Sequence, residues 1–358
     1  MSRLLCDALT APAGVAALAP ERQTALVARA RRAGLLATLC RRMEAADVLR
    51  ELPPAARRHY ESARLMQDKQ QRDLRFALSQ LAPVLDAIDA RLILLKGAAY
   101  TAGGLDAGRG RLISDIDLLT PRHRIAQVEQ ALVDAGWERA GKSAYDERYY
   151  RRWMHEIPPL RHGKRGTVLD VHHTILPPTA APKLPVQPLF DDVEELQPGL
   201  FALGAADRVL HSVAHLLFES EFNAPLRDLW DQRCLIVEAL QRDPGFWAQL
   251  RDRARLMDLE TPLWLALRYL ERHFALRAPA AVGEALRPPL AALRCGYWDP
   301  LFRRAFSVDP PPQQPRFHGL AHTLLYLRGH ALRMPPQLLL PHLLRKSLQR
   351  WSGEAPAP

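Results

Sequence analysis

The run Ser114-Asp115-Ile116-Asp117-Leu118-Leu119 constrains this chain more than any other segment. It alternates acidic and aliphatic residues, and a period of two marks a strand whose two faces differ. On that reading Asp115 and Asp117 share one face. Ile113, Leu118 and Leu119 make the strand a buried one, and a buried strand does not carry unpaired carboxylates without cost.

Two further apolar runs accompany it. Leu92-Ile93-Leu94-Leu95 comes first and ends in Lys96-Gly97, and the residues from Gly97 to Ala102 read as a short helix. Val168-Leu169-Asp170-Val171-His172 follows as a second strand, with Val168, Asp170 and His172 on one face. Carboxylates so arranged grip a hard divalent cation, Mg²⁺ or Mn²⁺, and Mg²⁺ takes oxygen ligands at roughly 2.0–2.1 Å. Two such ions about 3.5–4 Å apart clamp the attacking and leaving oxygens of a phosphoryl or nucleotidyl transfer.

The order strand, Gly, helix, Asp-x-Asp strand, helix, strand with a third Asp resembles the nucleotidyltransferase superfamily that includes DNA polymerase β. More closely, Leu94-Leu95-Lys96-Gly97, Arg111-x-x-Ser114-Asp115-Ile116-Asp117-Leu118-Leu119 and Leu169-Asp170-Val171-His172 are similar to a bacterial group of uncharacterised nucleotidyltransferase-family proteins. The resemblance implies an α+β fold, a small mixed sheet with flanking helices followed by a helical domain. It also implies an enzyme that uses an NTP and Mg²⁺, with Asp115, Asp117 and Asp170 as metal ligands. Lys96-Gly97 stands where the wider superfamily carries Gly-Ser, so Lys96 is expected to hold the triphosphate as a point charge. Gly97, Arg111 and Ser114 complete the expected nucleotide-binding set.

Length and charge are compatible with this. A chain of 358 residues accommodates two or three domains, and 48% apolar residues with 25% charged ones describe a globular chain. The net charge of +10 favours polyanionic partners, although arginine is spread along the whole chain. The four cysteines, Cys6, Cys40, Cys234 and Cys295, are far apart and make neither a disulfide framework nor a zinc knuckle. A reduced, cytoplasmic location is expected. Asp7 interrupts the first apolar stretch, so no secretory leader is expected, and no apolar run is long enough for a transmembrane helix.

Four stretches are expected. Residues 1–88 read as an N-terminal helical region, with helical apolar spacing from Arg22 to Met43 and from Arg57 to Ile88, broken at Pro53-Pro54. Residues 89–178 form the nucleotidyltransferase core. In it Pro121 opens a helix at its first position, and Ala135-Gly136 ends that helix. Tyr149–Leu160 and Thr167–Ile175 then alternate as a hairpin around His162–Gly166. A linker with five prolines spans 177–188, and 189–307 read as a helical domain. After a proline-rich break, 316–351 form a basic helical segment with six Arg or Lys and no acid. That segment suits RNA, an anionic membrane surface or packing as a helical cap.

Other residues offer themselves to the site. His172, beside Asp170, would orient the acceptor, bind a phosphate or assist deprotonation, or else pack as a hydrogen-bonded core histidine. His173 faces away and reads as structural. His211 and His215 lie one turn apart with Glu219 beyond them; a zinc stripe is one reading, and a helix packed beside the cleft is the better one. Asp228 and Asp231 read as helix capping or surface pairing, with acceptor contact as the alternative. The acceptor is open: a small molecule, RNA such as a tRNA end in a toxin-like reaction, or protein. The non-enzymatic alternative is a nucleotide-binding scaffold.

Overall fold

The computed structural model describes residues 3–139, 144–218, 222–335 and 337. Helices come first: α1 (Arg3–Thr10), α2 (Pro20–Arg32), α3 (Leu36–Ala45) and α4 (Pro54–Asp86). The helical spacing from Arg22 to Met43 is split in two because Gly34 takes a left-handed φ of +68°, which turns the chain between α2 and α3. α4 begins at Pro54, where the missing amide proton costs nothing.

The core follows: β1 (Leu92–Leu94), α5 (Lys96–Ala102), β2 (Ile116–Leu119), α6 (Ile125–Asp134), β3 (Trp137–Arg139), α7 (Ala144–Trp153), β4 (Leu160–His162) and β5 (Val168–His172). Then come α8 (Gln187–Asp191), β6 (Val193–Gln197), β7 (Leu200–Leu203), α9 (Ala205–Phe218) and α10 (Pro225–Arg242). The rest is helical: α11 (Phe246–Leu256), α12 (Glu260–Phe274), α13 (Ala280–Ala285), α14 (Ala291–Ala305) and α15 (His318–Arg333).

The strands make one mixed sheet in the order β3-β4-β5-β2-β1-β7-β6. β2 lies antiparallel to β1 and parallel to β5, and β1 lies parallel to β7. The fold is thus the expected α+β class, a mixed sheet wrapped by helices.

Several local expectations are corrected. Pro121 does not start a helix; it precedes a 3-10 turn at Arg122–Arg124, and α6 begins at Ile125. The hairpin is shorter than its alternation implied, because Ala144–Trp153 is helical and only Leu160–His162 pairs with β5. Strand β2 starts at Ile116, so Asp115 sits in the loop just before it rather than on it. The sheet also continues past residue 178: β6 and β7, inside the stretch read as helical, add two strands beyond β1. In the basic segment, α15 packs as a cap: Leu325 is fully buried, and Arg328 lies over the rings of Trp298 and Phe302 while donating to the Leu217 carbonyl. Residues 338–351 of that segment lie outside the described residues.

The loop that carries Arg111 to Asp115 into the site is anchored where Gly110 meets α3. Gly110 has a φ of +80°, and a Cβ there would lie 2.4 Å from backbone atoms of Thr38. Gly110→Ala is therefore expected to cost on the order of 2–4 kcal/mol, from backbone strain plus a clash with main chain that cannot yield. Urea unfolding measures it, and a loss below about 1 kcal/mol would show that the loop can move away from α3.

Candidate active site

Strand pairing sets the first two carboxylates. In the parallel ladder Asp117 is the register partner of Asp170, so both side chains stand on one face of the two central strands. Both are screened from water, Asp117 almost completely. Asp115 is only half-buried, and its Oδ1 accepts from the Ser114 hydroxyl at 2.9 Å.

Lys96 supplies the counter-charge. It sits at the turn from β1 into α5 with a φ of +47°, a strained conformation for a side-chain-bearing residue. That turn aims its ammonium back over the sheet, where Nζ donates to Asp117 Oδ1 at 2.7 Å. His172, two residues beyond Asp170, places Nε2 2.9 Å from the same oxygen. Burial by itself would raise the Asp117 carboxyl, but Lys96 and His172 outweigh it and hold the group well below the usual carboxylate range. Burial also opposes the charge on Lys96, yet Asp117 and Glu156 keep that ammonium firmly protonated.

Asp170 has no such help. Its Oδ1 is buried without a hydrogen-bond partner. Burial first, then Glu156 and Asp117, push its carboxyl up to about 7. Glu156 gave no signal in the sequence. It lies between α7 and β4, and an isolated antiparallel bridge to His172 brings its Oε2 to 3.4 Å from His172 Nε2.

These residues fit a hard divalent cation chemically. They are carboxylate oxygens, one is orphaned, and their negative charge exceeds what Lys96 neutralises. The three aspartates do not yet bring ligand oxygens within 4.8 Å of one another. The group that does so among the described residues is His155, Glu156 and His172. There, His172 Nε2 is hydrogen-bonded to Asp117 at 2.9 Å and lies 3.4 Å from Glu156 Oε2.

A cavity of about 300 Å³ opens on the β1 side of Asp117. Lys96, Gly97 and Asp115 form one wall, and Phe222, Asn223 and Arg227 at the start of α10 form the other. Gly97 is small for a reason: a Cβ there would come within 3.2 Å of Arg111 Nε. Arg111 does not pair with Asp115, Asp117 or Asp170. Its Nη1 lies 3.2 Å from Asp231 and 3.8 Å from Asp228, while its Nε finds no hydrogen-bond acceptor.

Asp228 and Asp231 are therefore neither caps nor surface groups. No side chain caps α10, both acids are buried, and Asp228 also accepts from Arg227 at 2.9 Å. Burial opposes ionisation of Asp228, but Arg227 and His215 more than offset it and hold its carboxyl low. Burial, partly countered by Arg111, pushes Asp231 up to about 7. His211 is buried beside the site, and desolvation, with Lys96 and His172 nearby, keeps it neutral. That is the packed-helix reading; Glu219 lies outside the described residues. His173 is buried and structural, its pKa drawn down to about 4 by burial and then by Arg122.

An acid with a raised folded pKa keeps its proton after the unfolded chain has lost its own. Asp170 therefore destabilises the ligand-free fold as pH rises from about 4 to about 7. Asp170→Asn is expected to stabilise the ligand-free protein at pH 8 by about 1–3 kcal/mol relative to its effect at pH 4. Unfolding curves at both values check this, and equal effects would show that Asp170 titrates normally.

Residues 19–275 match the family described as uncharacterised nucleotidyltransferase. No curated protein and no solved structure matches the chain.

Proposed function

The chain belongs to that nucleotidyltransferase family, and on that premise we propose that it moves a nucleoside monophosphate from an NTP to a hydroxyl acceptor, with Asp115, Asp117 and Asp170 as the ligands of Mg²⁺. The observation that carries this reading is the pairing of Asp117, which lines a cavity walled by Lys96 and Arg111, with Asp170, whose buried Oδ1 has no hydrogen-bond partner. When bound, Mg²⁺ neutralises triphosphate charge and lowers the pKa of the acceptor hydroxyl.

The protein groups do the positioning. Lys96 leaves Asp117 for the triphosphate, where its ammonium serves as a mobile point charge. Arg111, with an unused Nε donor, and Arg227, on the facing wall, meet the phosphates from the other side of the cavity. Gly97 lets the phosphate chain approach the backbone, and Ser114 releases Asp115 into the ligand set. His172 keeps Asp117 in its rotamer from behind. Catalysis then comes from alignment and preorganised charge.

Transfer of α-phosphate label from each NTP into RNA and into small-molecule fractions tests the chemistry. Asp117→Asn is expected to lose at least about 100-fold of the transfer while retaining the fold. Full activity in that variant would sink the assignment. A second measurement isolates Lys96. Lys96→Met removes the ammonium from Asp117 Oδ1 and leaves only His172 there, so it is expected to tighten nucleotide-free Mn²⁺ binding several-fold while slowing transfer. An unchanged Mn²⁺ affinity would show that the ammonium does not compete with the ion.

A further inference from the structure

Asp117 divides the open face of the sheet. The nucleotide cavity lies on its β1 side, whereas Asp170 and the edge strands β5, β4 and β3 lie on the other. Strand register carries this face outward. Arg161 on β4 is the partner of Val168, and Val168 shares its face with Asp170 two residues on. The Arg161 side chain therefore stands on the Asp170 face, with its Cα roughly 8 Å from that of Asp170.

The turn that follows adds Lys164 and Arg165, so three exposed cations fall within five residues at the end of the sheet where Asp115 enters. None of the three forms an ion pair among the described residues. Glu138, the register partner of Arg161, stays beyond ion-pair distance, and Asp73 on α4 is taken by Lys69.

Beside the turn, Phe76 on α4 is 56% exposed, with the Arg165 guanidinium 5.5 Å from its ring centroid. The same helix reaches the site directly, since Gln70 accepts from the Ile113 amide two residues before Asp115. A solvent-facing aromatic under a guanidinium that has no acidic partner, on a turn with two further such cations and next to the strand that carries Asp170, matches the way single-stranded nucleic acid is held. Cations track the backbone while a ring stacks a base.

We propose that Arg161, Lys164, Arg165 and Phe76 form the acceptor surface, and that the acceptor is a single-stranded nucleic acid whose terminal hydroxyl reaches Asp170 from the β4 side. This rests on the transfer reading for its purpose, but binding can be measured without it.

The test is fluorescence anisotropy of labelled ten-nucleotide RNA and DNA strands, in EDTA and without NTP, across a salt series. The wild type is expected to bind at least one of the two. Arg161→Ala/Lys164→Ala/Arg165→Ala should weaken binding about tenfold or more and reduce the salt slope by about 2. Phe76→Ala should weaken it about fivefold or more and leave the slope unchanged. A control, Arg22→Ala/Arg50→Ala/Arg58→Ala, removes the same charge from exposed positions in the N-terminal helices and should change little.

The RNA and DNA arms separate the two sources of this chemistry. No binding of either strand, equal loss in the control, or full displacement by heparin with no effect of Phe76→Ala would each overturn the proposal. None of these results depends on whether the protein transfers nucleotides, which Asp117→Asn decides separately.

Discussion

Asp117 is a buried carboxylate in the middle of a seven-stranded sheet, and it stays ionised because Lys96 and His172 converge on one of its oxygens. A lone buried carboxylate would take up a proton or displace its strand. The surroundings serve that contact. β1 ends at a residue with left-handed backbone so that an ammonium returns over the sheet, and β5 delivers an imidazole from the next strand. The arrangement resembles a charged site held closed by its own cation.

The neighbouring Asp170 shows the cost of such a site. Its register leaves it beside Asp117 and Glu156 with no donor of its own, and its carboxyl rises to about 7 as a result. Uncompensated charge in a fold is what a catalytic or binding centre retains against stability. A second buried network, Arg111 with Asp228 and Asp231, ties the loop before β2 to α10. Arg111 thereby couples the wall that carries Asp115 to the wall that carries Arg227, so the width of the cavity depends on ion pairs rather than on helix packing alone.

The three core motifs were readable because each rests on a local rule. Alternation places Asp170 and His172 on one face, an apolar run ending in Lys96-Gly97 marks a strand turning into a helix, and the family resemblance spans the same residues. Boundaries were less legible. Tyr149 to Trp153 satisfies an alternating pattern but is helical, while β6 is half-polar and β7 only four residues long, and their place in the sheet comes from β7 pairing with β1 and β6 with β7.

What the amino-acid order determined without help is the set of acids, the shared strand face of Asp170 and His172, and the place of Lys96 at the end of an apolar run, since these follow from backbone periodicity and local composition. Only the tertiary structure decided which charges share a volume. Glu156 reaches His172 through a bridge between a loop and β5, Arg111 turns to α10 rather than to Asp117, and Arg161 stands on the Asp170 face through two successive strand registers. Such pairings join residues many positions apart, and no local spacing encodes them. They are set by the packing of the sheet against its helices, where burial makes each unmatched charge expensive enough to select its partner.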